Sequence, residues 1–143
     1  MPKCDHVAFR VADLERAIAF YERVLPGRTI ARKQTNDRWR TAIAWVEPEG
    51  QPGFAFVLIQ ATRVRWLLRL FHAVVPRVMR GYEHAGLACA SREEVDERAR
   101  AAVEAGARLL FPPTFVDERT GYVAEAVDPD GNPIEWTHGQ TFG

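Results

Sequence analysis

The sequence contains few cysteines and no long apolar run. Cys4 and Cys89 form neither a CxxC pair nor a regular set of spacings. We therefore expect free, buried strand thiols in a reducing, cytoplasmic compartment rather than a disulfide framework. No apolar segment is long enough to span a bilayer, and the first residues do not combine a basic stretch with an apolar one. Neither a transmembrane helix nor a secretory signal is predicted.

The sequence also lacks an excess of charge of either sign. Its 19 lysines and arginines balance 19 aspartates and glutamates. No field of the whole molecule would attract nucleic acid, so a nucleic-acid partner is not expected. The chain has 143 residues, of which 47% are hydrophobic. That size suits one compact domain, or two small halves that share a core.

An internal repeat with an offset of 78 residues runs through the chain. His6 and His84 each open a short apolar run. Each run leads, after the same interval, to a residue that is typical of a helix N-cap, Asp13 in the first half and Ser91 in the second.

The repeat continues near the end of each half. Residues 53–59 superpose on residues 131–137 at the same offset, which aligns Val57 with Glu135. A duplicated half-site would bring four equivalent side chains together. Three of the four are metal-ligand types here, and the fourth is a valine.

Apolar periodicity in the first half predicts a strand, a helix and three more strands. The first strand covers residues 4–11. Asp13 caps the helix, and Pro26 and Gly27 end it. The apolar positions of this helix are Leu14, Ala17, Ile18, Tyr21, Val24 and Leu25. The three later strands are predicted near residues 29–34, 40–47 and 54–60.

The second half repeats this order. A strand over 84–90 is followed by a capping box of Ser91 and Glu94, and Gly106 ends the helix. The buried stripe of this helix is predicted to be Val95, Ala99, Ala102 and Val103. Strands follow near 107–111, 121–127 and 133–138, with a tight hairpin at 128–133. The fold class is therefore α+β, with two βαβββ modules and two curved sheets. The modules cover residues 1–60 and 84–143 of a single domain, 1–143.

Residues 61–83 interrupt the symmetry. Their apolar residues recur at helical spacing, with five interspersed arginines and no acid between 61 and 82. We expect a linker helix, kinked or divided at Pro76, that packs on the sheet or on a second subunit. A lid over an anionic substrate group and a membrane-surface helix are the alternatives.

Strand alternation is expected to bring the side chains at the repeated positions together in a metal centre. His6, His84 and Glu135 come from three strands, and Glu135 faces away from its apolar neighbours Ile134 and Trp136. Two imidazoles and a carboxylate suit one divalent ion such as Zn, Ni, Mn or Fe(II). Open coordination positions would accept substrate oxygens. A single strand histidine is more often a hydrogen-bonded core residue, but the shared register of these three favours a metal centre.

These features resemble the vicinal oxygen chelate superfamily. The resemblance rests on the duplicated strand-His-helix pattern and on the segment 128–135, Asp-Pro-Asp-Gly-Asn-Pro-Ile-Glu. That superfamily includes glyoxalase I, fosfomycin-resistance enzymes, extradiol dioxygenases and bleomycin-resistance proteins. The resemblance implies paired half-barrel modules, a small-molecule substrate, a homodimer and a divalent metal. It assigns His6, His84 and Glu135 to the first, third and fourth ligand positions.

Two positions depart from the family pattern. Val57 falls where glyoxalase I has a glutamate that binds metal and moves protons. Gln60 is close in sequence, but alternation puts it on the other face. Dioxygenases and fosfomycin enzymes usually have a tyrosine ten residues before the last ligand. Here that position is Glu125, and Tyr122 is expected on the alternate face.

Glu125 has two interpretations. It shares a strand face with Val123 and Val127, and as a buried acid near the metal it would serve as a general base. Alternatively it faces solvent or pairs with Arg40 or Arg119.

Five aromatic residues are either core or the lining of an apolar pocket: Trp45, Phe54, Phe56, Phe111 and Phe115. Residues 111–115, with two prolines, are expected to form an extended loop at the rim. His72 and His138 do not follow the repeat, so we expect His72 in solvent and His138 on the face opposite Glu135.

Three functions remain open. The first is a glyoxalase-like, metal-dependent lyase or isomerase with an enediolate-type intermediate, in which Glu125 and Glu135 are catalytic. The second is an Fe(II) extradiol-type dioxygenase. The third is a non-catalytic ligand-binding protein similar to the bleomycin-resistance members.

Overall fold

The fold consists of two compact units, Met1–Met79 and Arg80–Gly143, in a computed structural model. The structure describes residues 4–36, 38, 40–64, 66–67, 70 and 83–141. Each unit contains one four-stranded sheet and follows the predicted order of strand, helix and three strands. The predicted α+β class with two βαβββ modules is thereby confirmed. The exact division at residues 60 and 84 stays a prediction.

Unit 1 is built from β1 (His6–Arg10), α1 (Leu14–Val24), β2 (Gly27–Gln34), β3 (Thr41–Pro48) and β4 (Ala55–Ala61). Its strand order is β1-β4-β3-β2, with β1 parallel to β4 and the other pairs antiparallel. A short 3₁₀ turn, Thr62–Val64, follows β4.

One face of the unit 1 sheet packs on α1. All the predicted apolar positions of the helix are buried, together with Phe20. Phe56 stacks on both Phe9 and Tyr21, with ring centroids 5.5 and 5.9 Å apart, and Phe54 meets the edge of Phe56. Phe56 is therefore a core residue and does not line a substrate pocket.

Two side chains hold the start of α1. The Asp13 carboxylate accepts from the backbone N–H of Arg16 at 3.1 Å, as predicted. Gln60 Oε1 accepts from the backbone N–H of Leu14 at 2.7 Å. Gln60 thus satisfies a free amide of the first helical turn and lies on the helix side of β4, opposite Val57.

Unit 2 is built from β5 (Ala85–Ala88), α2 (Arg92–Glu104), β6 (Arg108–Asp117), β7 (Gly121–Val127) and β8 (Pro133–His138). Its strand order is β5-β8-β7-β6, again with the first and last strands of the module parallel. The helix packs on β6, β7 and β8.

The capping box of α2 is present as predicted. Ser91 Oγ accepts from the N–H of Glu94 at 3.2 Å, and the Glu94 carboxylate accepts from the N–H of Ala90 at 2.7 Å. Val95, Ala99 and Ala102 are buried, but Val103 is 48% exposed, so its predicted burial is wrong. The register of α2 on the sheet leaves this position on the solvent side of the stripe.

The 78-residue repeat is preserved in the strand pairing. Val7 pairs with Phe56 in unit 1, and Ala85 pairs with Ile134 in unit 2, each 78 residues later. The offset becomes 80 in the next strand, because Trp45 lies opposite Val57 whereas Glu125 lies opposite Glu135. The extra length of α2, 13 residues against 11 in α1, matches this change.

Two local expectations are wrong. The proline-containing residues 111–115 are not a loop but part of β6, an edge strand whose pairing with β7 is interrupted by register shifts. An edge position tolerates proline because one side of the strand needs no ladder hydrogen bond. Both cysteines are free thiols, but Cys4 precedes β1 and is exposed, and Cys89 follows β5.

Most of the predicted basic helix at 61–83 lies outside the described residues, and so do His72 and Pro76. Among its described residues, Trp66, Leu67 and Leu70 are exposed. None of the helices in the described part of the chain has the length and hydropathy needed to cross a membrane.

The β7–β8 hairpin depends on one buried carboxylate. Asp128 accepts from the backbone N–H groups of Asp130 and Asn132 at 2.8 Å and from the Asn132 side-chain amide at 2.9 Å. Gly131 takes the positive φ of 87° that the turn requires. This turn determines where β8 begins, and hence the register of Glu135.

Replacement of Asp128 by Ala is expected to lower the free energy of unfolding by about 2–4 kcal/mol, because buried N–H groups lose their acceptor. Urea unfolding followed by circular dichroism measures this loss. Asp117→Ala is the matched control, since Asp117 accepts from two backbone N–H groups in an exposed turn. Water can replace that carboxylate, so its loss should cost less; an equal cost for the two variants would contradict the argument.

The two thiols are expected to differ in reactivity. Burial, with the nearby Glu94 carboxylate, raises the pKa of Cys89 to about 11 from 9.0, and Arg98 opposes this shift. At pH 8 the fraction of Cys89 present as thiolate is therefore about 100-fold lower than the fraction for an ordinary thiol. Pulse alkylation with iodoacetamide and peptide mapping should label Cys4 first, and the Cys89 rate should keep rising beyond pH 10. Equal labelling at pH 8 in the folded protein, with unfolded protein as control, would refute this difference.

Candidate metal centre

The candidate site lies on the face of the unit 2 sheet that is opposite to α2. Glu135 is in the middle of β8, and its neighbours Ile134 and Trp136 are 1% exposed on the helix side. On this face Glu135 lies beside Gly86 of β5. His84 precedes β5 by one residue, two positions before Gly86, and strand alternation puts it on the same face.

Two of the three predicted ligands are brought together by this arrangement. His84 Nε2 lies 3.6 Å from Glu135 Oε1, and the two side chains are 33% and 14% exposed. Two ligand atoms that are each about 2.1 Å from one tetrahedral ion are about 3.4 Å apart. The observed separation therefore fits a shared divalent ion with little movement of either side chain.

The other ring nitrogen of His84 is in a different environment. Nδ1 is buried and makes no hydrogen bond within the described part of the chain. Nε2 is therefore the nitrogen that faces the carboxylate, and it is the atom that a metal ion beside Glu135 would use.

A cavity of about 520 Å³ adjoins this pair. All the residues that line it belong to unit 2: His84, Gly86, Ala88, Cys89, Glu135, Thr137, Gly139 and Gln140. A side chain at Gly86 would begin 3.9 Å from Glu135 Oε1, so the glycine leaves the space beside this oxygen open. The volume suits a small metabolite, and the polar groups lie beside the histidine and the glutamate.

Glu125 is on the same face as Glu135, directly opposite it in the β7–β8 pair. One of its carboxylate oxygens, Oε1, is buried. Cross-strand partners have Cβ atoms about 4.5–5.5 Å apart, and like charges there repel. A divalent cation or a proton beside the pair would reduce this repulsion. Glu125 lies one strand beyond the lining of the cavity, next to Glu135.

Unit 1 presents a different surface at the equivalent positions. Val57 is buried at 6% exposure between Ala8 of β1 and Trp45 of β3. His6 opens β1 with its side chain 58% exposed, and its Nδ1 lies 2.7 Å from Asp5 Oδ1. Unit 1 thus has one imidazole at these positions, and an apolar residue where unit 2 has Glu135.

The predicted ligand set is brought together in part. His84 and Glu135 meet within unit 2, whereas His6 belongs to unit 1. Within neither unit do the described residues form a cluster of three or more histidine, cysteine, aspartate or glutamate side chains suited to a metal ion. The three-residue set His6, His84 and Glu135 therefore stays a prediction.

Other predicted polar residues lie where alternation put them. The Tyr122 hydroxyl donates to Asp96 of α2 at 2.8 Å, which raises the pKa of Tyr122. His138 Nδ1 is 3.1 Å from the backbone oxygen of Cys89. Both residues are engaged on the helix side or at the strand end, away from Glu135.

The remaining aromatic candidates divide between the two faces. Trp45 and Phe111 share the faces of Val57 and Glu125, respectively, through their strand pairing. Phe115 lies on the helix side, where the Arg92 guanidinium sits 5.4 Å from its ring centre. Trp45 and Phe111 therefore lie on the sheet face that is opposite the helix of their own unit.

Sequence reasoning missed two residues that lie beside predicted ligands, Gly86 in unit 2 and Asp5 in unit 1. An acid precedes each histidine of the repeat, as Asp5 and Glu83, and this was the available signal for Asp5. A glycine inside a strand, as at Gly86, often marks a place where another group approaches closely.

Comparison with known proteins agrees with the fold. The family model described as Glyoxalase/Bleomycin resistance protein/Dioxygenase superfamily matches residues 3–136. The uncharacterised protein PA2024 of Pseudomonas aeruginosa is 34% identical over 143 residues, which is 99% of this chain and 92% of the relative.

Solved structures give the same assignment of fold. A glyoxylase/bleomycin resistance protein/dioxygenase domain from Frankia sp. EAN1pec has a TM-score of 0.77 and 19% identity, covering 98% of this chain and 99% of that one. The genomically encoded fosfomycin resistance protein FosX from Listeria monocytogenes has a TM-score of 0.70 and 17% identity, covering 99% and 96%. With the family model and the Pseudomonas relative, these likenesses show that the chain belongs to the Glyoxalase/Bleomycin resistance protein/Dioxygenase superfamily.

Proposed function

We propose that the protein is a glyoxalase-like, metal-dependent lyase or isomerase that acts on a small molecule with two neighbouring oxygen atoms. His6, His84 and Glu135 would hold one divalent ion, such as Zn, Ni, Mn or Fe(II). The observation that carries the proposal is the 3.6 Å separation of His84 Nε2 and Glu135 Oε1 on the wall of a cavity of about 520 Å³. When bound, the ion would act as a Lewis acid on substrate oxygens.

The protein's own groups would position the substrate and move its proton. Gly86 leaves room beside Glu135 for the substrate. The Thr137 hydroxyl and the Gln140 amide line the same cavity and can hydrogen-bond substrate oxygens. Glu125, opposite Glu135, is the candidate general base that takes a proton from the carbon next to a substrate carbonyl.

The metal assignment can be tested by calorimetric titration of chelator-treated protein with Zn, Ni, Mn and Fe(II), the last without oxygen. We expect one ion per chain. His84→Ala and Glu135→Gln should each weaken binding by at least about 100-fold. Loss of a residue that hydrogen-bonds to a metal ligand typically costs 10–100-fold in metal affinity, and loss of the ligand itself should cost no less. His6→Ala should weaken binding as well.

His138→Ala is the matched control, because His138 contacts the backbone of Cys89 rather than Glu135. It should bind metal like the unmodified protein. Absence of stoichiometric binding across the four metals, or equal affinities for the His138 and His84 variants, would remove the metal proposal.

A variant of Glu125 can distinguish metal binding from proton transfer to the protein. Glu125→Gln should leave metal affinity within a few fold and reduce the enzyme-dependent exchange of carbon-bound hydrogen for deuterium by about 10²–10⁴. The measurement is proton NMR in D₂O on a panel of small 2-hydroxy ketones. Glu97→Gln, an exposed position on α2, is the control. Exchange at the unmodified rate in the Glu125 variant would eliminate this residue as the base.

A non-catalytic binding protein is the second candidate, and Val57 favours it. This residue is buried where a fourth ligand would be expected, so an apolar side chain next to Trp45 takes the place of a ligand in unit 1. A ligand bound in this way should raise the melting temperature of metal-free protein. Stabilisation that occurs only in the presence of metal would favour the enzyme instead.

We also propose a cytoplasmic homodimer that acts on a small molecule without nucleic acid or membrane partners. The family assignment and the absence of a net charge support this proposal. Light scattering of the purified protein measures the mass of the assembly.

A further inference from the structure

A carboxylate contacts one of the two ring nitrogens of His6. Asp5 Oδ1 lies 2.7 Å from His6 Nδ1. The backbone oxygen of Asp5 accepts from the N–H of Ala55 at 2.9 Å, so Asp5 is anchored to β4 where β1 begins. The short contact therefore starts from a backbone position held by the sheet.

The chemistry of this contact selects one tautomer. An ionised carboxylate can only accept hydrogen bonds, so the hydrogen must be on Nδ1. In a neutral imidazole the lone pair is then on Nε2, which becomes the one ring nitrogen able to bind a metal. Histidine side chains in water favour the opposite tautomer, with hydrogen on Nε2.

The repeat partner His84 has a different environment. His84 also presents Nε2, toward Glu135, but its Nδ1 is buried without a hydrogen bond in the described residues. Its side chain is 33% exposed, against 58% for His6. The more exposed His6 ring has the contact with Asp5, whereas His84 Nδ1 has no such partner in the described residues.

We propose that Asp5 is a positioning residue for metal binding. It holds the His6 ring, places the hydrogen on Nδ1 and keeps Nε2 available as the ligand atom. A carboxylate behind a histidine ligand also makes the ligand more basic, and its loss typically costs 10–100-fold in metal affinity. The effect on metal rests on the proposed function, but the effect on the tautomer concerns the metal-free protein.

The tautomer can be observed without metal. Long-range ¹H–¹⁵N correlation spectra of ¹⁵N-labelled, metal-free protein at pH about 8 distinguish the two ring nitrogens. We expect His6 to carry hydrogen on Nδ1 in the unmodified protein and on Nε2 in Asp5→Ala. Asp5→Asn should keep the original tautomer, because the amide oxygen can accept the same hydrogen bond. Hydrogen on Nε2 in the unmodified protein would overturn the proposal.

Zinc titration of the same variants tests the consequence for binding. Asp5→Ala should weaken zinc binding by about 10–100-fold, and Asp5→Asn by less. Glu49→Ala is the matched control, an exposed acid of the same unit, and should bind zinc normally. Circular dichroism confirms that each variant is folded.

The outcomes separate the two proposals. If the unmodified protein binds zinc and His6→Ala weakens this binding, but Asp5→Ala does not, the role of Asp5 is wrong and the proposed function survives. If the unmodified protein binds none of Zn, Ni, Mn and Fe(II), the proposed function and the metal role of Asp5 both fail, and the NMR spectra still decide the tautomer.

Discussion

The candidate site depends on the register between the parallel strands β5 and β8. Glu135 pairs with Gly86, and this pairing places its carboxylate beside His84. A slip of one residue would turn Glu135 toward α2 and Trp136 away from it. Burial of Ile134 and Trp136 on the helix side opposes such a slip, and the buried Asp128 turn determines where β8 begins. The core of unit 2 and its chemistry are therefore set by the same strand pairing.

The duplication preserves this framework but not its chemistry. The parallel pair of unit 1 has the same register, yet it presents Val57 and Trp45 where unit 2 presents Glu135 and Glu125. Backbone pairing constrains the direction of a side chain and not its identity, so one half could lose a carboxylate without loss of fold. Unit 2 therefore carries a histidine-carboxylate pair beside a cavity, whereas unit 1 has an exposed imidazole and a buried valine at the equivalent positions.

Local sequence signals predicted most of the fold because they act over a few residues. The caps at Asp13 and Ser91 and the tight hairpin before β8 depend on contacts within one turn, and all three are present. The errors occurred where strand position matters more than local preference. The prolines of residues 111–115 suggested a loop, but an edge strand accommodates them. Val103 matched the helical stripe, but the packing of α2 leaves it exposed.

The sequence by itself determined the faces of the site. The 78-residue repeat and strand alternation were sufficient to place His84 and Glu135 on one side of a sheet, because the direction of strand side chains has a period of two. Only the tertiary structure decided the distance between them, the cavity that Gly86 leaves open, and the contact of Asp5 with His6. These features depend on side-chain rotamers and on the approach of neighbouring strands, neither of which a linear pattern specifies. Strand alternation also put Gln60 on the face opposite Val57, and in the structure Gln60 lies there and caps α1.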